Sequence, residues 1–151
     1  MRISLESPDQ PEVISLIEEL DAYQSSLYPP ESNNLLDVDT LSQADVIFAV
    51  VRNAQHEAIA CGAVVVYPDY GEIKRLFVRP ENRGEGIAKK LLSFLENEAA
   101  GRGCKVLMLE TGISQPEALG LYARTGYIRR GSFAEYTNDP FSVFMEKQIA
   151  D

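Results

Sequence analysis

At 151 residues, with 45% apolar and 25% charged side chains, the chain suits one domain with a single substantial core, and no apolar run approaches the roughly 20 residues of a membrane span. The formal net charge is -9, yet residues 74–90 carry six basic and two acidic side chains, a local +4 that leaves -13 for the rest. A small polyanionic ligand suits such a site; long nucleic acid needs an extended basic face and is excluded.

Arg2 to Leu5 alternates as a first strand, and no apolar stretch of signal-peptide length surrounds it. Asp9-Gln-Pro-Glu12 reads as a helix start, with Asp9 as cap, Pro11 in the first turn and Glu12 three residues on. Val13, Leu16, Ile17 and Leu20 then form one apolar face to about Tyr23. Tyr28-Pro-Pro-Glu31-Ser-Asn33 breaks regular structure, and a short helix follows near Asp39 to Gln43.

From Val46 the pattern becomes a meander: strand Val46–Val51, a polar turn holding the single histidine, His56, strand Ile59–Tyr67, turn Pro68–Gly71 and strand Glu72–Val78. Alternation places Glu72, Lys74, Leu76 and Val78 on one face of the last strand, opposite Ile73, Arg75 and Phe77. The chain then turns through Arg83-Gly84-Glu85-Gly86-Ile87-Ala88 into a helix with Ile87, Leu91, Phe94 and Leu95 as its apolar stripe. Glycines at a helix N-terminus let backbone N–H groups close on an anion, which the helix dipole also favours.

Gly101-Arg-Gly103 stops that helix. Val106-Leu-Met-Leu109 is a continuous apolar run, as in a strand buried on both faces, and completes a βαβ unit with a right-handed crossover. Ser114-Gln-Pro-Glu117 reads as a capping-box helix start, followed by Ala118, Leu121, Tyr122 and Thr125 on one face and a stop at Gly126. Strands over Tyr127–Phe133 and Ser142–Lys147 close the chain. Cys61 and Cys104 lie beside apolar runs as free thiols of a reducing compartment, and no metal-ligand spacing occurs.

Three phosphate-binding grammars compete for the glycine turn. The spacing of a P-loop is absent. A dinucleotide fingerprint requires Gly or Ala where Lys89 stands, although Glu110 mimics its ribose-binding acid. The third is Arg-x-x-Gly-x-Ala, met by Arg83, Gly86 and Ala88. With Ala118-Leu-Gly-Leu-Tyr122-Ala-Arg-Thr-Gly126-Tyr, it resembles the GCN5-related N-acetyltransferase (GNAT) family over most of the chain. Glu72-Ile-Lys-Arg, Leu109-Glu-Thr-Gly112 and Tyr28 to Asn33 look like a small bacterial subgroup.

The resemblance implies a mixed α/β, mostly antiparallel sheet of about seven strands with about four helices and a splayed parallel pair. It implies acetyl-CoA as co-substrate, no metal, and direct transfer of acetyl to a primary amine of a small molecule or peptide. The pantetheine arm would lie on the backbone of Leu76, Phe77 and Val78, and the pyrophosphate on Gly84, Glu85, Gly86, Ile87 and Ala88, with Arg83 adding charge. Lys89, Lys90 and Arg124 are candidates for the ribose phosphate. Tyr122 matches the acid that protonates the departing thiolate. Glu72, Glu110 and ordered water compete as the base, and a backbone N–H near Phe77 or Val78 faces the oxyanion. Gln115 stands where many members carry an asparagine on the cofactor arm. Tyr28, Glu31 and Asn33, with Tyr136 and Ser142, are expected around the acceptor. A cytoplasmic enzyme, dimeric by family habit, is the leading reading; a non-catalytic acyl-CoA-binding regulatory module is the alternative.

Overall fold

The computed structural model describes residues 1–28, 38–134, 136 and 139–151. Seven strands form one sheet: β1 (Arg2–Leu5), β2 (Val46–Arg52), β3 (Ala58–Val66), β4 (Gly71–Val78), β5 (Val106–Gly112), β6 (Ile128–Arg130) and β7 (Ser142–Gln148). Among the described residues the helices are α1 (Pro11–Leu27), α2 (Val38–Leu41), α3 (Ile87–Gly101) and α4 (Pro116–Arg124), and a 3₁₀ turn lies at Pro80–Asn82. The strand order is β1-β2-β3-β4-β5-β7-β6, antiparallel throughout except for the β4–β5 pair. The mixed α/β sheet with a parallel pair is therefore as expected.

Two apolar clusters sandwich the sheet. On one side α1 buries Val13, Leu16, Ile17 and Leu20 against Phe48, Val50, Cys61, Ala63 and Phe77. On the other, α3 buries Ile87, Leu91, Leu92, Leu95 and Ala99 against Ile47, Ala49, Val64, Leu107 and Leu109. Period 3.6 in the helices and period 2 in β2 and β3 assign these sides. Both cysteines are free and buried, and His56 is exposed in its turn.

Local signals were less accurate at the helix starts. Gln10 is the cap residue of α1 and Gln115 that of α4, neither helix has a side-chain cap, and each begins on its proline. Proline fits the first helical position because its missing N–H would be unsatisfied anyway, and it moves the start past Asp9 and Ser114. Helix α1 also continues beyond Tyr23 to Leu27, and β6 is only three residues long, short of Phe133.

Two strand readings are corrected. In β5, Leu107 and Leu109 are buried while Val106, Met108 and Glu110 are half-buried, because α1 lies over β3 and β4 rather than over β5. In β4, the alternation breaks at Arg75, which has φ +59. Cys61 pairs with Phe77 but Ala63 with Lys74, so β4 carries one extra residue, a bulge. Past it Leu76 and Val78 pack on the α3 side with Ile73, while Phe77 joins the α1 side. Arg75 is held there by an ion pair to Asp21 of α1, and the Cys61 thiol donates to its carbonyl at 3.5 Å.

The far edge of the sheet is tied by Arg52, whose Nη2 lies 2.8 Å from both Glu6 and Glu12 and whose Nη1 donates to the His56 carbonyl at 2.7 Å. Hydrogen bonding from Arg52 holds the Glu6 carboxyl down at about 2, against an ordinary 4.5. A carboxylate with a depressed folded pKa stabilises fully above its unfolded value and loses that contribution as pH falls toward the folded one. Glu6→Gln is therefore expected to flatten the decline in urea-unfolding stability between about pH 5 and pH 2. An equally steep decline in the variant would contradict this role.

Candidate active site

The central feature is a place where the sheet stops being a sheet. Strands β4 and β5 pair only at Gly71–Leu107, Glu72–Met108 and Ile73–Leu109. β4 then continues to Val78 and β5 to Gly112 without further pairing, while β4 stays on β3 as far as Ala60–Val78. Five residues of β4, from Lys74, thus present one backbone edge to an opening. Leu76, Phe77 and Val78 all lie along it.

At the end of β4 the chain passes the 3₁₀ turn and enters the glycine loop. Gly84 and Gly86 have φ +83 and +77, and a Cβ on either would meet nothing within 4 Å. Glycine is thus required by the left-handed backbone rather than by crowding. Gly86 is the cap residue of α3, no side chain caps that helix, and the N–H groups of Ile87, Ala88 and Lys89 take no partner among the described residues. Arg83 is not simply a loose charge: its Nε donates to the Val78 carbonyl at 3.0 Å and its guanidinium lies over Phe77 and Tyr23. It ties the loop to the end of β4. Glu85, Lys89, Lys90 and Arg124 are exposed.

On the face away from α3, Glu72 is 3% exposed and accepts a hydrogen bond from the Tyr136 hydroxyl. The Lys74 ammonium donates to the same hydroxyl and lies 3.2 Å from Glu72. Burial, then the bond to Glu72, pushes the Tyr136 phenol well above its ordinary 10.0, so its proton stays on at neutral pH. Glu110 lies on the same face of β5, accepting from the Ser142 hydroxyl at 2.8 Å. Both candidate bases therefore lie on one face of the sheet, near the ring contacts that Phe133 makes edge-on with Tyr136 and Phe144 and the tilted contact between those two.

Tyr122 is 6% exposed in the α3-side core, its ring 5.5 Å from that of Tyr127. Burial raises its phenol above the ordinary 10.0. Its hydroxyl takes no partner among the described residues, although no fully enclosed side-chain N or O among them is left without one. The hydroxyl is thus available at the edge of the core. Tyr127 is itself fixed, donating to Glu96 of α3 at 2.8 Å, and Glu96 also takes the Lys147 ammonium at 3.2 Å.

Tyr28 clasps the end of β5. Its hydroxyl donates to Gln115 Oε1 at 3.3 Å and accepts from the Ser114 N–H at 3.2 Å. A Cβ on Gly112 would fall 1.6 Å from that hydroxyl, so glycine there is imposed by the clasp. Gln115 Oε1 also accepts from the Gly112 N–H at 3.2 Å, which leaves its amide NH₂ without a partner among the described residues. Glu31 and Asn33 lie outside the described residues.

The role of Lys74 beside Glu72 and the Glu96–Tyr127–Lys147 bracket were not read from sequence. Lys74 had a signal, since alternation put it on the face of Glu72. Glu96 had none, as its partners lie 31 and 51 residues away. Among the described residues no group of His, Cys, Asp and Glu could hold a metal ion, and no helix is long and apolar enough to cross a membrane.

Residues 13–127 match the family model described as Acetyltransferase (GNAT) family. The chain is 46% identical over 149 residues, 97% of each protein, to one named IAA acetyltransferase from Azospirillum brasilense. It is 32% identical over 152 residues to a protein named uncharacterized N-acetyltransferase YsnE from Bacillus subtilis, covering 99% of this chain and all of the relative. A crystal structure described as an acyl-CoA N-acyltransferase of Klebsiella pneumoniae superposes with a TM-score of 0.84 at 42% identity, covering 98% of this chain and 97% of the other. An aminoglycoside 6'-N-acetyltransferase in complex with coenzyme A shares the fold at TM-score 0.76 and 18% identity, covering 100% and 98%.

Glu96→Leu removes the acceptor of both Tyr127 and Lys147. It is expected to cost about 1–3 kcal/mol in urea unfolding, because a half-buried hydroxyl and ammonium lose their partner. A change within about 0.5 kcal/mol, the scatter of ordinary surface substitutions, would show that the bracket carries no stability.

Proposed function

The chain belongs to the GNAT family of acetyltransferases, and from that premise we propose that it moves acetyl from acetyl-CoA to a primary amine by direct attack within a ternary complex. The observation that carries this reading is the conjunction of an unpaired β4 edge with an uncapped, glycine-led helix start at its end. One binds an extended amide-bearing arm as an added strand; the other binds a pyrophosphate. An acyl-CoA has both parts joined.

In this reading Leu76, Phe77 and Val78 offer backbone groups to the pantetheine arm, and a freed N–H near Phe77 or Val78 faces the developing oxyanion. N–H groups from Gly84 to Ala88 hold the pyrophosphate, and Gln115 offers its free amide NH₂ to the arm. Glu72, through Tyr136 or an ordered water, takes the proton that the ammonium must lose before its nitrogen can attack. Lys74 holds Glu72 in place through their ion pair at 3.2 Å. Glu110 lies on the same face of the sheet and is the rival base.

Nitrogen attacks the thioester carbon, the C–S bond breaks, and the sulfur leaves with its electron pair. Tyr122 donates to that sulfur. A thiol loses its proton near 8.5, far below a buried phenol, so Tyr122 acts first as a hydrogen-bond donor to the thiolate. Any proton it hands over is replaced by the one the amine released, and the balance closes with free thiol and amide.

Thiol release from acetyl-CoA across a panel of amines tests this reading. Tyr122→Phe is expected to lower kcat by about a hundredfold or more with little change in KM. Glu72→Gln is expected to lose about as much near pH 7 and less at high pH, where free amine is already abundant. Gly86→Ala, which forces a side chain into the left-handed region at a cost of about 1–2 kcal/mol, should weaken CoA binding by about tenfold in calorimetry. Tight CoA binding with no turnover of any amine, and no effect of Tyr122→Phe, would leave a binding module instead.

A further inference from the structure

The face carrying Glu72 continues across the sheet in a way the reaction itself does not require. Glu110 of β5 stands directly opposite Phe144 of β7, and Phe144 opposite Arg130 of β6. Register partners share a face, so carboxylate, aromatic ring and guanidinium form one row spanning about 10 Å at the usual strand spacing. In the row beside it, Glu72 stands opposite Met108 and Met108 opposite Glu146.

Arg130 leans over that floor. Its guanidinium lies 5.7 Å from the Phe133 ring, Nη1 reaches Met108 Sδ at 3.3 Å and Glu146 at 3.5 Å, and Nε donates to the Gly131 carbonyl. Nη2 takes no partner among the described residues. Beyond Phe144 lies a cavity of about 410 Å³, lined by Arg129, Arg130, Ser132, Asp139, Ser142 and Phe144 among others. Ser142, in the cavity wall, is the residue that donates to Glu110.

We propose that the acceptor is an aminocarboxylate, an amino acid or a close relative. Its carboxylate is read by Arg130 in the cavity beyond Phe144, while its amine faces Glu72 and Glu110. The planar guanidinium suits a carboxylate, the two glutamates suit an ammonium, and Phe133, Tyr136 and Phe144 supply the apolar surface between them. The volume suits a molecule of that size. On a chain of net charge -9, an arginine with a spare donor in a cavity marks a selective site for an anion. The inference rests on the acetyl-transfer reading above and narrows its acceptor.

The test compares each aminocarboxylate with its own decarboxylated amine: phenylalanine with phenethylamine, leucine with 3-methylbutylamine, lysine with 1,5-diaminopentane. In thiol release, at least one pair is expected to favour the aminocarboxylate by about ten- to a hundredfold in kcat/KM, because loss of a group the site is built to bond is heavily discriminated. Arg130→Gln should bring that ratio toward one, mainly through KM, and Arg130→Lys should retain part of it. Circular dichroism confirms that each variant is folded. Decarboxylated amines equal to or better than their partners in every pair would overturn the proposal and leave acetyl transfer standing. If no probe releases thiol, the acetyl-transfer reading fails, and calorimetry with the same pairs on the CoA-loaded protein decides the carboxylate site. Selective binding of an aminocarboxylate, weakened about tenfold or more by Arg130→Gln, supports the site; no selective binding overturns it.

Discussion

Everything in the candidate site depends on two strands that stop pairing. Past Ile73 and Leu109 the backbone groups facing between β4 and β5 have no ladder partner. Unsatisfied backbone groups are costly to bury, so such an edge persists only where water or a ligand meets it. The bulge at Arg75 shows how the chain sustains the divergence. An extra residue bends and twists a strand, and this one lies two positions beyond the last β4–β5 pair. The Asp21–Arg75 ion pair and the Cys61 contact anchor it from the α1 side. The same shift places Leu76 and Val78 on the α3 side and Phe77 on the other, so the edge stays packed while its polar groups stay open.

Charge is distributed to match. At the C-terminal end of β4 the uncapped start of α3 offers N–H groups to an anion. On the opposite face lie the carboxylates of Glu72 and Glu110, with Lys74 and Tyr136 tying Glu72 in place. In the α3-side core Tyr122 carries a buried hydroxyl with no hydrogen-bond partner among the described residues. Tyr127, braced by Glu96 and Lys147, limits how far the Tyr122 ring can turn.

Features whose cause is local were legible in the sequence. The α1 face, the glycine loop and the βαβ unit each follow from helix period, glycine conformation or chain connectivity, and all appear near the expected positions. The faces of β4 were not legible, because a bulge at an arginine leaves no mark that glycine would have left. The helix caps were misplaced where proline outweighed the serine and aspartate signals. The polar networks were hidden for another reason. Tyr136 meets Glu72 and Lys74 from 64 and 62 residues away, and only the completed sheet brings them together.

The central claim is that one ligand occupies both the β4 edge and the start of α3. Amide hydrogen exchange, followed by mass spectrometry with and without coenzyme A, tests it most directly. The account predicts that CoA slows exchange together in two segments, residues 74–78 and 84–90, with little change in β1 and β2. Saturating CoA that leaves both segments unprotected, or protects only a surface elsewhere, would contradict it.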